Sequence, residues 1–140
     1  MPASDEVVDR LARLALFAEL SRPELESVAH GYDEEVFGEG QRVLRQGLSG
    51  SNLFVILEGE AVIRRDGEDV THLGAGEVFG EISVLTAEPP TADVVAATLL
   101  RCLVVPGPEA HRFLLERPQV MLRILQSEAR RVQSAYEWRA

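Results

Sequence analysis

The stretch from Tyr32 to Pro106 is cut into short pieces by turn formers, and this punctuation restricts the fold more than any other feature. The pieces YDEEVF, RVLRQ, NLFVIL, EAVIRR, EDVTHL, ADVVAA and RCLVVP are parted by Gly38 and Gly40, Gly47 and Gly50, Gly59, Asp66-Gly67, Gly74 and Gly76, and Pro89-Pro90. Asp66-Gly67 between two β-prone runs is a hairpin signal, because a two-residue turn needs positive φ and glycine supplies it without steric penalty. Many short strands at regular spacing predict an antiparallel barrel or jelly roll over 32–106.

Helical patterns flank this region. Val8, Leu11, Leu14 and Ala15 recur at helical spacing, with Ser4 and Asp5 placed to cap the start. In LSRPELESVAHG, Ser21 and Glu24 form a capping box, Leu20 and Leu25 a hydrophobic staple, and Gly31 a stop. After a short helix at GPEAHRFLLERP, Pro118 opens a long one. There Leu122, Leu125, Ala129, Val132 and Tyr136 step by 3, 4, 3 and 4, a narrow heptad seam that lies on the protein's own barrel or pairs with a second copy. The division expected is one domain over 1–140, with N-terminal helices at 1–31, the β-roll at 32–106 and C-terminal helices at 107–140. The fold class is mainly β with flanking helices.

At 140 residues, 46% hydrophobic and 26% charged, the composition is that of an ordinary globular domain. A net charge of -9 opposes non-specific nucleic-acid binding, since a polyanion must meet a basic face. The single Cys102 lies in an apolar run, which reads as a buried structural thiol in a reducing compartment. The start MPASDEVVDR has no signal-peptide pattern, and no apolar run reaches the ~18 residues of a membrane span. A cytoplasmic location and no membrane partner are expected. His30, His72 and His111 are too scattered for a metal site, and no nucleophile–base arrangement stands out, so neither a metal nor an enzyme is expected.

The most specific stretch is GAGEVFGEISVLTAEPPTADVVA, residues 74–96. With LFAELSRPELESVA before it and RPQVMLRILQSEARRVQ after it, the chain resembles the cyclic nucleotide-binding domain family, which includes the bacterial catabolite activator proteins. The resemblance implies a jelly roll whose phosphate-binding cassette, 79–92, contains Phe79, Gly80, Glu81, Ile82, Ser83, Pro90, Thr91 and Ala92. It assigns Glu81 to a ribose hydroxyl and Thr91 to the cyclic phosphate, with cAMP or cGMP as the ligand, no required cofactor, and the backbone N–H groups after Gly80 as further anion donors.

One position departs from the pattern. Where the family's nucleotide binders carry an arginine before the Thr-Ala pair, this chain has Pro90, which brings neither charge nor N–H. No basic residue lies between Arg65 and Arg101, while Asp66, Glu68, Asp69, Glu77, Glu81, Glu88 and Asp93 do, with His72 the one partial cation. Replacement cations would have to come from Arg42, Arg45, Arg64 or Arg65 on the barrel, or from Arg123, Arg130 or Arg131 on the last helix. Two functions follow: a regulatory cyclic-nucleotide sensor, homodimeric through the final helix and acting on a partner protein, or a ligand-independent interaction module with a degenerate cassette. The family's transcription factors continue into a helix-turn-helix domain after the long helix, and this chain stops at Ala140, so direct DNA contact is not expected.

Overall fold

The structure is a computed structural model and describes residues 5–48 and 52–137. Helices α1 (Asp5–Ala12) and α2 (Arg22–Gly31) precede two four-stranded antiparallel sheets, and α4 (Gly107–Glu116) and α5 (Pro118–Glu137) close the chain. The strands are β1 (Asp33–Phe37), β2 (Arg42–Leu44), β3 (Leu53–Glu58), β4 (Ala61–Arg65), β5 (Glu68–Leu73), β6 (Val78–Phe79), β7 (Asp93–Ala96) and β8 (Leu100–Val105), with α3 (Glu81–Thr86) between β6 and β7. Strand order is β1-β8-β3-β6 in one sheet and β2-β7-β4-β5 in the other. This is the jelly-roll arrangement with flanking helices that the glycine punctuation predicts. No described helix is long and apolar enough to cross a membrane.

Local chemistry explains most boundaries. Ser21 Oγ accepts from the Glu24 N–H while a Glu24 carboxylate oxygen accepts from the Ser21 N–H, completing the capping box, and Leu20 and Leu25 are both buried. Arg65 pairs with Glu68 across Asp66-Gly67, both of which have positive φ, as the tight hairpin demands. The expected first helix is shorter than its periodicity: it ends at Ala12, and Leu14 is extended at φ -84, ψ 131 before a 3-10 turn at Ala15–Phe17. Ala15 is exposed, and Leu16 and Phe17 are buried in its place. The break turns the bulky Phe17 into the core, a tertiary gain that outweighs continued helix. Ser4, one of the two expected caps, lies outside the described residues. Strand β6 is too short for any periodicity to announce it.

Two hydrophobic cores share the sheet containing β3 and β8. Strand side chains alternate faces, so Leu53, Val55, Leu57, Leu103 and Val105 meet the helices, among them Val8, Phe17, Val28, Phe113, Val120 and Ile124. Phe54, Ile56, Leu100, Cys102 and Val104 point instead into the roll, against Ala61, Leu73, Phe79, Val94 and Ala96. That is why β3 is buried on both faces and reads as a continuous apolar run. Burial in this interior pushes the Cys102 thiol up to about 12, so it is inert as a nucleophile.

Candidate functional site

The interior packing stops short of one end of the roll, leaving a cavity of about 790 Å³. Leu44, Ile63, Leu73, Phe79 and Val94 form its apolar floor, and α5 crosses its mouth with Ser127, Glu128, Arg130, Arg131, Val132, Ser134 and Ala135. All eight cassette residues expected from the sequence line it: Phe79, Gly80, Glu81, Ile82, Ser83, Pro90, Thr91 and Ala92. Its size is in the range of sites for small molecules, roughly 300–1,000 Å³.

The cassette is shaped by one backbone approach. Gly80 caps α3 with φ +83, and a Cβ there would lie 2.2 Å from the Asn52 carbonyl oxygen, so only glycine fits. The following residue, Glu81, is thereby turned inward and is 5% exposed. Glu81 Oε1 stands 3.6 Å from Arg131 Nη1, which also donates to Glu128 Oε1 at 3.0 Å. Glu81 Oε2 and Arg131 Nη2 are buried with no hydrogen-bond partner. Burial, and then the Glu128 charge, push the Glu81 carboxyl up to about 7.

Pro90 is buried, and its carbonyl accepts from the Gly47 N–H at 2.9 Å. That bond belongs to the backbone and does not depend on the side chain; the buried ring itself brings no charge to a position where the resemblance implies a cation. Thr91 is exposed, and its carbonyl accepts from Arg65 Nε at 3.3 Å.

The acidic field expected from the sequence is largely dispersed by the fold. Asp93 accepts from the Gln46 N–H and faces Arg42, Asp69 is paired with Arg64, and Asp66 accepts from Gln46 Nε2. Of the acids between Arg65 and Arg101, only Glu77 and Glu81 line the cavity, joined by Glu128 from α5. Among the candidate arginines, Arg65, Arg130 and Arg131 reach it. Arg42 and Arg64 are spent on the pairs just named, and Arg123 grips Glu19. Arg45 lines a smaller hollow on the far side of Pro90, and His72 does not line the cavity. Among the described residues no group of His, Cys, Asp and Glu is placed to hold a metal ion.

Most of the seam on α5 faces away from the barrel, Val132 alone of its described side chains also lining the cavity. Val120 and Ile124 are buried in the core and continue into Ser127 and Arg131 over the cavity, steps of 4, 3 and 4. Leu122, Leu125 and Val132 are 53%, 62% and 56% exposed, and Ala129 is exposed too. The Tyr136 side chain, expected in the seam, lies outside the described residues, as does Trp138. The inward stripe, with Arg131 in it, is what sequence reasoning missed as an organised face. Its signal was present but in the wrong phase: the outer stripe is the more apolar.

The model of the cyclic nucleotide-binding domain family matches residues 34–117. Among solved structures, the regulatory domain of Toxoplasma gondii protein kinase A with cAMP is 25% identical (TM-score 0.73), covering 89% of this chain and 49% of that one. The catabolite activator protein of Thermus thermophilus is likewise 25% identical (TM-score 0.73), covering 86% of this chain and 59% of that one. The regulatory subunit of a cAMP-independent protein kinase A from Trypanosoma brucei is 26% identical (TM-score 0.74), covering 87% of this chain and 47% of that one. The chain thus spans about half the length of these two kinase regulatory chains. With the family model matching more than half of its length, this chain belongs to the cyclic nucleotide-binding domain family of regulatory, non-catalytic modules.

Proposed function

We propose that this domain is a ligand-responsive regulatory module whose cavity takes a cyclic nucleotide, cAMP or cGMP, and transmits its presence through α5. The observation that carries this reading is that cassette and α5 line the same cavity, so a ligand touching Glu81, Ser83 or Thr91 also touches the helix. Such a ligand shifts α5 by the difference in its affinity for the helix positions it meets. Removing one member of a buried ionic pair typically costs about 2–5 kcal/mol, which is roughly 30- to several-thousand-fold in affinity. Without the cassette arginine, binding therefore rests on the guanidinium groups of Arg65, Arg130 and Arg131. Output passes to a partner protein, with the domain paired to a second copy through the exposed seam of α5, in the cytoplasm.

Calorimetry with cAMP and cGMP tests this. The expected result is saturable heat at or below about 0.1 mM, with Pro90→Arg tightening binding tenfold or more. Silence to about millimolar for both proteins sinks the reading. One observation favours the second function, a ligand-independent interaction module: the buried Pro90 leaves no charge at the cassette turn. Under that reading the seam still pairs while the cavity stays empty.

A further inference from the structure

Arg131 is the guanidinium that reaches the buried carboxylate of the cassette, Glu81, and it does not stand free. It bridges a carboxylate of α3 and one of α5, Glu81 at 3.6 Å and Glu128 at 3.0 Å. With Glu81 ionised the trio carries two negative charges and one positive, and two of its polar atoms, Glu81 Oε2 and Arg131 Nη2, are buried without hydrogen-bond partners. A phosphate is the group that Arg131 Nη2 lacks, but it cannot be added to the trio as it stands. Were Arg131 to turn to the phosphate, two carboxylates would be left facing a new anion, one of them shut off from water.

We propose, building on the ligand reading above, that Arg131 is the anion-holding group of this pocket, and that it exchanges its carboxylates for the ligand's phosphate while Glu81 takes up a proton from solvent. The exchange conserves charge: one negative phosphate enters, one proton follows it, and the site keeps the balance it had. Protonated Glu81 also gains an O–H with which to meet a ligand hydroxyl. The other charged groups around Glu81 do not supply the missing balance. Glu77 at the cavity edge is acidic and accepts from the Gly74 N–H, while Arg65 is exposed and bonded to the Thr91 carbonyl. Arg130 lines the cavity without touching Glu81, and His111 of α4 is turned to the Val84 carbonyl at 3.1 Å. Strand β3 offers α3 only apolar side chains from Leu53 to Leu57. The elevated carboxyl of Glu81, at about 7, places the uptake in the neutral range.

The sign follows from linkage. Below pH 7 the empty site already holds its proton and affinity is flat; above pH 7 the proton must be acquired on binding, and the association constant falls by up to tenfold per pH unit. The test is calorimetry with cAMP from pH 6 to 8.5 in two buffers of different ionisation enthalpy. At pH 8 the buffers should give heats that differ by the uptake of about half to one proton. Glu81→Gln keeps an acceptor for the ligand hydroxyl but has nothing to titrate, so its heat should be buffer-independent, its pH profile flat, and its pH 8 affinity no weaker than that of the unaltered protein. Arg131→Gln should weaken binding at least tenfold. Proton uptake that persists in Glu81→Gln, no uptake in the unaltered protein, or undiminished binding by Arg131→Gln overturns the proposal. If the unaltered protein is silent while Pro90→Arg binds, the ligand reading stands and Arg131 is not its anion holder. If both are silent, the ligand reading itself falls.

Discussion

Glu81 makes the folded protein carry a cost that depends on pH. In an unfolded chain its carboxyl titrates near its ordinary value of 4.5, whereas in the roll burial raises it to about 7. Between those values the native state binds more protons than the unfolded one, so this group's contribution to stability falls as pH rises from about 4.5 to 7 and is level above. At one pH unit per roughly 1.4 kcal/mol, the full cost at pH 8 is on the order of 3 kcal/mol. Glu81→Gln should therefore unfold later than the unaltered protein in urea at pH 8, and the gap should close towards pH 5. Equal midpoints at both pH values would show that the carboxylate is not strained by its burial. On the proposal above, the same burial readies the residue for a ligand.

At the scale of elements, what the sequence discloses depends on how local the cause is. The capping box of α2 is legible because Ser21 and Glu24 satisfy one another's backbone N–H groups within one turn. Ser21→Ala should cost about 1 kcal/mol, lowering the thermal midpoint by about 3 °C in a scan. The Asp66-Gly67 hairpin is legible for the same reason. What was not legible has distant causes. The helix break at Leu14 exists because Phe17 must reach a core assembled from β3, β8 and α4. The place of Arg131 depends on the angle at which α5 crosses the roll, set by Val120 and Ile124 against that same core. Sequence offered seven arginines as replacement cations, and only packing brings three of them to the cavity. The acids sort in the same way: packing gives Asp93, Asp69 and Asp66 to Arg42, Arg64 and Gln46, and leaves Glu77 and Glu81 at the cavity.

For the whole molecule, α5 is the element that joins its parts. Its first turns are fixed in the core by Val120 and Ile124, its next turns roof the cavity, and its outer face leaves Leu122, Leu125 and Val132 exposed. Val132 belongs to both the cavity lining and the exposed stripe. A narrow apolar stripe at 3,4 spacing, bare on a helix already anchored from behind, suits knobs-into-holes pairing with an identical stripe. Sedimentation should then show a dimer at tens of micromolar, and Leu125→Glu a monomer with unchanged secondary structure, since that side chain meets no core residue. A persisting dimer would remove this face as the contact. Pairing and ligand binding should also be coupled, because both bias the position of one helix, and coupling of binding free energies is reciprocal. Leu125→Glu ought accordingly to change cAMP affinity by the same factor by which saturating cAMP changes the dimerisation constant, although residue 125 lines no part of the cavity. A monomeric variant that binds as the dimer does would mean that the stripe and the cavity share a helix without sharing a switch.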